Sequence, residues 1–228
     1  MASQFERSIN LIGEENFKNI QNKCIAIFGL GGVGGTAFIA LLRSGFTHFV
    51  LVDFDKVSLS NLNRQLLYNL SSVDKLKIDE AKQYALSINK DIKIETLNLK
   101  INSENINNLD KYKLDFIVDA IDDVQGKIAI SKYAIKNNIN FVVSLGMANR
   151  LDSEDVIITK LNKTTNDPLA RKLRYEFKNN DIDISKINVV FSKKEPIKKE
   201  ATPYSMMMTP SSAGLAIASY IINFFVVF

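Results

Sequence analysis

GLGGVGG, residues 29–35, lies between two apolar segments and decides the fold that this sequence predicts. The residues before it, CIAIF (24–28), form a continuous apolar run of the kind found in strands that are buried on both faces. Residues 33–44, VGGTAFIALLRS, have the length and composition of a helix. The glycines match the pattern G-x-G-x-x-G at Gly29, Gly31 and Gly34, with Gly32 between them. A strand, a glycine-rich turn and a helix in this order predict a Rossmann-like unit whose helix N-terminus binds phosphate.

The same alternation of strands and helices continues on both sides of this segment. Residues 5–22 form an amphipathic helical pattern, and further helices are predicted at 76–89 and 124–136. Four more segments have strand-like patterns, at residues 49–53, 92–99, 115–121 and 141–146. Short buried strands that alternate with helices predict a parallel, doubly wound sheet.

The rhythm changes after about residue 150. Two predicted strands, at 156–161 and 187–192, flank a helix at 167–178, and a turn-rich connection precedes an apolar helix at 213–228. We therefore predict an α/β fold with a Rossmann-like, doubly wound, mostly parallel sheet and a C-terminal extension of strands and an apolar helix. We also predict a single domain over residues 1–228, in which 1–150 bind the nucleotide and 151–228 bind the substrate.

Composition excludes several classes of site. Cys24 is the single cysteine and His48 the single histidine, so the chain has no internal disulfide, no Cys₄ zinc site and no His-based metal cluster. The apolar segment 213–228 is shorter than the roughly 20 residues that cross a membrane, which favours a core helix. The N-terminus lacks the layout of a signal peptide. We expect a cytoplasmic protein without a membrane partner.

Asp53 strengthens the prediction of a nucleotide site. It follows Gly34 by 19 residues and ends the second predicted strand. At that place in a Rossmann-like unit a carboxylate bonds the ribose hydroxyls of the nucleotide. The glycines and this carboxylate together do not distinguish NAD from ATP.

A resemblance makes that distinction. DFDKVSLSNLNRQ, residues 53–65, is similar to the segment after the second strand in the ThiF/MoeB/HesA family, the relatives of ubiquitin-activating enzymes. The positions that match the family's motifs, including its D-x-x-D after the fourth strand, are Asp53, Asp55, Ser60, Asn61, Arg64, Gln65, Lys77, Asp119 and Asp122. The resemblance implies that the chain binds ATP and adenylylates a carboxylate. It also implies a homodimer, in which Arg7 of the first helix enters the ATP site of the partner subunit.

The residue types suit adenylylation, in which both reactants are anionic and charge must be neutralised. Arg64 offers a rigid fork for phosphate oxygens and Lys77 a mobile point charge. Asn61 is placed to orient phosphate or ribose. Asp122 is a suitable ligand for Mg²⁺ on the phosphates, because Mg²⁺ keeps several waters and needs only one or two protein oxygens.

Three later segments resemble one branch of the family, the tRNA threonylcarbamoyladenosine dehydratases. They are SLGMANRLDSED (144–155), KTTNDPLARKLR (163–174) and INVVFSKKEPI (187–197). The resemblance implies that the chain adenylylates the threonyl carboxylate of a modified adenosine beside the anticodon and closes it into a ring. This sequence departs from the branch at 145–147, where it lacks a glycine run, and at 198–209, where the connection is short and contains three consecutive methionines.

A tRNA partner requires positive charge at the surface, which also makes binding depend on salt. The residues that we predict to contact tRNA are Arg150, Arg171, Arg174, Lys178, Lys193 and Lys194, with Lys172, Lys198 and Lys199 beside them. The net charge of +4 permits such a partner without requiring it.

Three alternatives remain open at the level of sequence. A sulfur-carrier adenylyltransferase of the same family shares the ATP site, although this chain lacks the C-x-x-C pairs that hold zinc in many of them. An NAD-dependent dehydrogenase fits the glycines and Asp53, and a non-catalytic nucleotide-binding module fits them too. Cys24 opens the first strand, roughly 15 Å from the expected site, so we expect it to be a small buried hydrophobe rather than a nucleophile.

Overall fold

Seven strands form one sheet in this computed structural model, which describes residues 4–197 and 204–227. They are β1 (Cys24–Phe28), β2 (His48–Val52), β3 (Lys93–Leu97), β4 (Phe116–Asp119), β5 (Asn140–Ser144), β6 (Val156–Lys160) and β7 (Asn188–Ser192). The strand order is β3-β2-β1-β4-β5-β7-β6. All neighbouring strands pair in parallel except β6, which runs antiparallel to β7. The two C-terminal strands therefore extend the same sheet.

Helices cover both faces of this sheet, as the alternating sequence predicts. They are α1 (Glu6–Ile12), α2 (Glu14–Gln21), α3 (Gly32–Ser44), α4 (Lys77–Ile88), α5 (Val124–Lys136), α6 (Pro168–Asn179) and α7 (Met208–Phe225). One core contains residues of α3, α4 and α7, and the cores on the opposite face contain residues of α5 and α6. The predicted doubly wound α/β fold is confirmed.

Strand β1 shows why a continuous apolar run was needed. Ile25 and Ile27 point into the core beneath α3 and α7, whereas Ala26 and Phe28 point into the core beneath α5. Side chains alternate along a strand, so a strand covered by helices on both faces must be apolar at every position. All four of these side chains are fully buried.

The N-terminal segment differs from the single helix that we predicted over residues 5–22. Gly13 separates α1 from α2 and has φ 83° and ψ 155°, a backbone conformation outside the helical region. A positive φ is readily available to glycine and strained for other residues. The apolar periodicity continues across the break, which is why the pattern alone did not reveal it.

The C-terminal apolar segment is a core helix that begins at Met208, before the predicted start at residue 213. Pro210 lies in its first turn, where a missing N–H costs no helical hydrogen bond. Gly214 permits close packing on α3, because a Cβ there would lie 2.5 Å from the carbonyl oxygen of Val33. None of the helices in the described part of the chain has both the length and the apolar character that a membrane crossing requires.

Candidate nucleotide-binding site

The carboxyl ends of β1, β2 and β4 meet at one edge of the sheet, where the strand order reverses between β1 and β4. Open α/β sheets bind ligands at this kind of switch point. A cavity of about 610 Å³ lies there. The predicted nucleotide-binding residues that line it are Gly29, Gly31, Gly32, Asp53, Asp55, Asn61, Arg64, Lys77 and Asp122. The structure thus brings together most of the predicted site.

The glycine-rich turn depends on two close approaches. Gly29 has φ 84°, and a Cβ at this position would lie 2.7 Å from the carbonyl oxygen of Ala120 in the turn after β4. At Gly34 a Cβ would lie 1.9 Å from the carbonyl oxygen of Gly29. Gly34 therefore lets α3 pack against the turn, and it does not itself line the cavity. The turn leaves its backbone N–H groups at the start of α3, as anion binding requires.

Asp53 holds this turn in place. Its Oδ2 accepts a hydrogen bond from the backbone N–H of Leu30 at 2.6 Å, and its Oδ1 accepts one from the N–H of Asp55 at 2.8 Å. The buried hydroxyl of Tyr68 donates to the carbonyl oxygen of Leu30 at 2.9 Å. Burial, with Asp53 and other nearby carboxylates, raises the pKa of the Tyr68 phenol, which stays a neutral donor. Each Asp53 oxygen retains a lone pair for a ribose hydroxyl.

Arg64 follows a short 3₁₀ turn at Leu59–Asn61. The side chain of Asn61 accepts a hydrogen bond from the backbone N–H of Ser58 at 3.2 Å, which stabilises the start of this turn. Nη1 of Arg64 donates to the carbonyl oxygen of Ser60 and to Oδ1 of Asn63, each at 2.9 Å. Both acceptors are neutral, so these bonds leave the positive charge of the guanidinium unneutralised, and Arg64 lines the cavity. The exposed hydroxyl of Ser60 is 3.0 Å from that of Ser58, and Ser60 does not line the cavity. A contact between Ser60 and the nucleotide stays a prediction.

Lys77 opens α4 and is only 5% exposed. Its Nζ lies 2.7 Å from Oδ2 of Asp55, and both residues line the cavity. The Asp55 side chain is half-exposed, whereas the lysine is held by the surrounding fold. A phosphate that enters the cavity would therefore meet an ammonium group whose position is already fixed.

Asp122 lies on the opposite wall and is exposed to the cavity. A competing explanation for an aspartate here is the N-cap of α5. Asp123 is the N-cap of α5 instead, because its Oδ2 accepts a hydrogen bond from the backbone N–H of Gly126 at 2.6 Å. Among the described residues no cluster of three metal-ligating side chains occurs. A cation bound here would accordingly need oxygens from the nucleotide and from water besides Asp122, which is the usual arrangement for Mg²⁺.

Beneath this wall, Asp119 and Lys127 form a completely buried ion pair. Nζ of Lys127 lies 2.8 Å from Oδ1 of Asp119, and both side chains have no exposed surface. Burial raises the pKa of the Asp119 carboxyl, and the positive charge of Lys127 opposes that shift. Asp119 ends β4, and the next residues, Ala120 and Ile121, line the cavity. The pair thus anchors the turn that carries Asp122.

One wall of the cavity was missed by sequence reasoning. Phe54, Leu99, Lys100 and Ile101 line it, from the segments that follow β2 and β3. Nζ of Lys100 lies 5.9 Å from the centre of the half-exposed Phe54 ring, a cation–π distance. Leu99, Lys100 and Ile101 belong to no motif, and the pairing of β2 with β3 brings them beside Phe54. The Asp119–Lys127 pair was also missed as a pair.

Arg150 does not belong to the exposed basic surface that we predicted, and this prediction was wrong. The residue is 5% exposed, and Nη2 lies 3.5 Å from Oδ2 of Asp167. The guanidinium also donates to the carbonyl oxygens of Lys194, Gly146, Ala148 and Asn166. These bonds join the loop after β5 to the start of α6, so Arg150 stabilises the fold and is not available to contact a phosphate.

The other predicted basic residues differ in their surroundings. Arg171, Lys178 and Lys193 are exposed, whereas Arg174 is half-buried and donates to Thr164. Nζ of Lys194 lies 2.9 Å from Asp152 and 3.3 Å from Asp155, which neutralises much of its charge. Lys198 and Lys199 lie outside the described residues.

Arg7 and Cys24 lie away from the cavity. Arg7 is exposed on α1 and does not line the cavity of its own chain. Cys24 begins β1 at the opposite edge of the sheet, and burial together with Asp115 raises the pKa of its thiol to about 11. A thiol with this pKa is protonated at neutral pH and is a poor nucleophile. His48 begins β2 at the same distant edge.

Comparison with known proteins agrees with this geometry. The model of the ThiF family matches residues 5–224. The chain belongs to the ThiF family. A relative in Bacillus subtilis (strain 168), the tRNA threonylcarbamoyladenosine dehydratase, is 32% identical, and the match covers 97% of this chain and 94% of that protein.

Two solved structures of a ThiF-family relative share the fold. They are crystal structures of the Escherichia coli tRNA N6-threonylcarbamoyladenosine dehydratase, TcdA, one in complex with AMP and the other with ATP. Each has a TM-score of 0.91 and 26% sequence identity, and each match covers 97% of this chain and 93% of that chain. The dehydrogenase alternative gains no support from these relatives, because the nucleotides in their structures are AMP and ATP.

Proposed function

We propose that this chain is an ATP-dependent tRNA threonylcarbamoyladenosine dehydratase. The observation that carries the proposal is the cavity at the carboxyl edge of the sheet, where Arg64, Lys77 and Asp122 converge beside the glycine-rich turn. Similarity to dehydratases over nearly the whole chain supports the choice of carboxylate. We further propose that residues 1–150 bind the nucleotide and that 151–228 bind the RNA, within one domain in the cytoplasm.

The first step forms an acyl-adenylate. A threonyl carboxylate oxygen attacks the α-phosphorus of ATP, and the bond from that phosphorus to the pyrophosphate oxygen breaks. Backbone N–H groups at the start of α3 donate hydrogen bonds to phosphate oxygens, and Asp53 accepts hydrogen bonds from the ribose hydroxyls. Arg64 and Lys77 neutralise the charge that develops on the phosphoryl oxygens and on the leaving pyrophosphate. Lys77 can exchange Asp55 for phosphate, since that carboxylate is half-exposed.

The second step closes the ring. A nitrogen or oxygen of the carbamoyl group in the same modified nucleoside attacks the carbonyl carbon of the acyl-adenylate. The bond from that carbon to the phosphate oxygen of AMP breaks, AMP leaves, and the carbamoyl group loses one proton. Over both steps the nucleoside loses one molecule of water. Attack within one molecule needs orientation more than an added nucleophile. This chain fits such a reaction, because it offers no activated cysteine. Its single cysteine, Cys24, has a raised thiol pKa and lies at the far edge of the sheet.

Mg²⁺ fits the donors of this site. Asp122 supplies one carboxylate, Asp123 is occupied as a helix cap, and the triphosphate would supply further oxygens. When bound, the ion supplies positive charge to the triphosphate. Asp122 would hold the ion on the wall opposite Lys77.

The RNA would approach the surface formed by the second half of the chain. We propose contacts with phosphates from Arg171, Lys178 and Lys193, which are exposed. Arg174 and Lys194 are weaker candidates, because their side chains already bond Thr164 and two aspartates respectively. Arg150 is excluded from this set by its burial.

We also propose a homodimer in which Arg7 acts in the partner's site. Mixing Arg7→Ala and Arg64→Ala variants is then expected to restore about a quarter of wild-type activity. With random exchange about half of the dimers are mixed, and each mixed dimer contains one complete site. Pyrophosphate release measures the recovery. A mixture no more active than the separate variants would exclude a role of Arg7 across the interface.

The proposal is tested by incubating the protein with ATP, Mg²⁺ and tRNA that carries threonylcarbamoyladenosine, followed by digestion and mass spectrometry of the nucleosides. We expect loss of one water from that nucleoside, dependent on ATP and stopped by a chelator. Reactions without protein verify that the substrate stays intact. An unchanged nucleoside would reject the proposal and direct the search to the C-terminus of a sulfur-carrier protein as the carboxylate.

A further inference from the structure

An exposed aromatic side chain stands in the middle of the basic helix α6. Tyr175 is 66% exposed, whereas the opposite face of the helix buries Ala170, Leu173 and Phe177. Among the described residues, no hydrogen bond or ring contact of Tyr175 is found. Burial of the helix does not require this ring, since it points away from the core.

Positive charge surrounds the ring. Residues three and four apart are neighbours on a helix, so Arg171 and Lys178 lie one turn before and after Tyr175 on its face. The helix carries four basic side chains against one acidic side chain, Glu176. The charge continues onto α5, where Nζ of Lys132 donates to Oδ1 of Asn180 just beyond α6 at 2.9 Å.

This surface lies on the side of the sheet that carries Asp122. Asp167 caps α6 and pairs with Arg150, which bonds the carbonyl oxygen of Gly146 shortly after β5. Strand β5 is the neighbour of β4, whose carboxyl end forms the cavity. Helix α6 therefore starts at the edge of the sheet where the cavity lies. Helix α6 then leads to β7, which begins at the opposite edge of the sheet, so Tyr175 lies about 10 Å along the helix axis from the cavity edge.

A flat exposed ring between cations matches the chemistry of an unpaired nucleotide. Aromatic side chains stack on the faces of bases that are not paired, and basic side chains bind the phosphates on either side. Double-stranded RNA hides those faces within its own stack, so it offers the ring nothing to bind. The combination therefore selects single-stranded RNA over a duplex of equal charge.

We propose that Tyr175, with Arg171 and Lys178, forms a stacking platform for one unpaired nucleotide of the anticodon loop. The proposal rests on the proposed function and identifies a part of the RNA that the ATP site does not read. Holding a second nucleotide of the loop fixes the loop while the reacting base is displaced from its own stack.

The test compares Tyr175→Ala with Tyr175→Phe in binding to a fluorescently labelled anticodon stem-loop. We expect the alanine variant to bind about tenfold more weakly, in line with the loss of one base–aromatic stack. The phenylalanine variant keeps the ring and is expected to bind as the wild type does. A fully paired RNA of equal length should bind both variants equally. Tyr84→Ala, on the opposite face of the sheet, is the matched control and should leave the affinity unchanged.

The dependence of RNA affinity on salt concentration separates the contribution of stacking from the contribution of charge. The slope of affinity against salt concentration should be unchanged in Tyr175→Ala and shallower in an Arg171→Gln and Lys178→Gln variant. Equal affinity of Tyr175→Ala and wild type, or equal loss in Tyr175→Phe, would overturn the platform. So would a change of oligomeric state in Tyr175→Ala, measured by light scattering, because a second copy of the chain would then cover the ring.

Wild-type turnover keeps this inference distinct from the proposed function. If the wild type dehydrates the nucleoside and Tyr175→Ala binds the stem-loop normally, the platform fails while the function stands. If the wild type binds the stem-loop only through Tyr175 but leaves the nucleoside unchanged, the function fails while the platform stands. Wild type that binds no stem-loop overturns both.

Discussion

Replacing Arg64 by alanine is expected to lower ATP-dependent release of pyrophosphate by on the order of 10²–10³-fold, the usual cost of removing one preorganised electrostatic contact to a transition state. Arg64 lines the cavity, and within the described part of the chain its guanidinium bonds only the carbonyl oxygen of Ser60 and the side-chain amide oxygen of Asn63. No buried charge is left behind by the substitution, so the midpoint of thermal unfolding should stay nearly unchanged.

Two further variants make that result specific. Arg64→Lys keeps the charge but loses the two-pronged geometry, so it should recover part of the activity and no more. Arg43→Ala removes an arginine that bonds the hydroxyl of Tyr84 far from the cavity, and it should leave activity unchanged. Full activity in Arg64→Ala would remove this residue from the site, and a collapse of thermal stability would assign it a structural role instead.

The parts of the site that the sequence predicted are those encoded by short, contiguous patterns. The glycine-rich turn and Asp53 follow from where two strands end, because strand ends fix position in a parallel sheet. The segment after β2 matches a family motif from Asp55 to Lys77, and most of the matching residues line the cavity.

Residues that depend on contacts distant in sequence were not predictable in this way. Arg150 is basic and follows a strand, features that are typical of an exposed phosphate contact. Its burial depends on carbonyl groups from Asn166 and Lys194, which only the folded chain brings to it. Formal charge in a sequence reports composition and does not report accessibility.

Tyr175 shows the opposite failure. A tyrosine in an amphipathic helix is usually counted as apolar, and the sequence drew attention only to the basic residues around it. The structure shows that α6 buries another face, which leaves the ring exposed between Arg171 and Lys178. Helical periodicity gives the spacing of these residues, but the packing of Phe177 against the sheet decides which side they face.

Replacing Lys127 by methionine is expected to cost about 3–5 kcal/mol in the free energy of unfolding, because it leaves the carboxylate of Asp119 buried without a counter-ion. The loss should be larger than for an exposed pair such as Lys186–Asp183, because water and salt screen the attraction between exposed charges. Chemical denaturation at neutral pH measures both. Adding Asp119→Leu to Lys127→Met should recover most of the lost stability, since a buried pair can often be replaced by apolar groups.

The pH dependence tests the same explanation independently. Burial already raises the pKa of the Asp119 carboxyl above its ordinary value of 3.8, and loss of the lysine removes the charge that opposes this shift. As the pH rises above 3.8, the Asp119 carboxyl therefore loses its proton in the unfolded state of Lys127→Met but keeps it in the folded state. Stability of the variant relative to wild type should fall as the pH rises above 3.8 and improve as the pH is lowered towards it. A stability difference that does not change with pH would show that lost packing, rather than an unpaired carboxylate, causes the destabilisation.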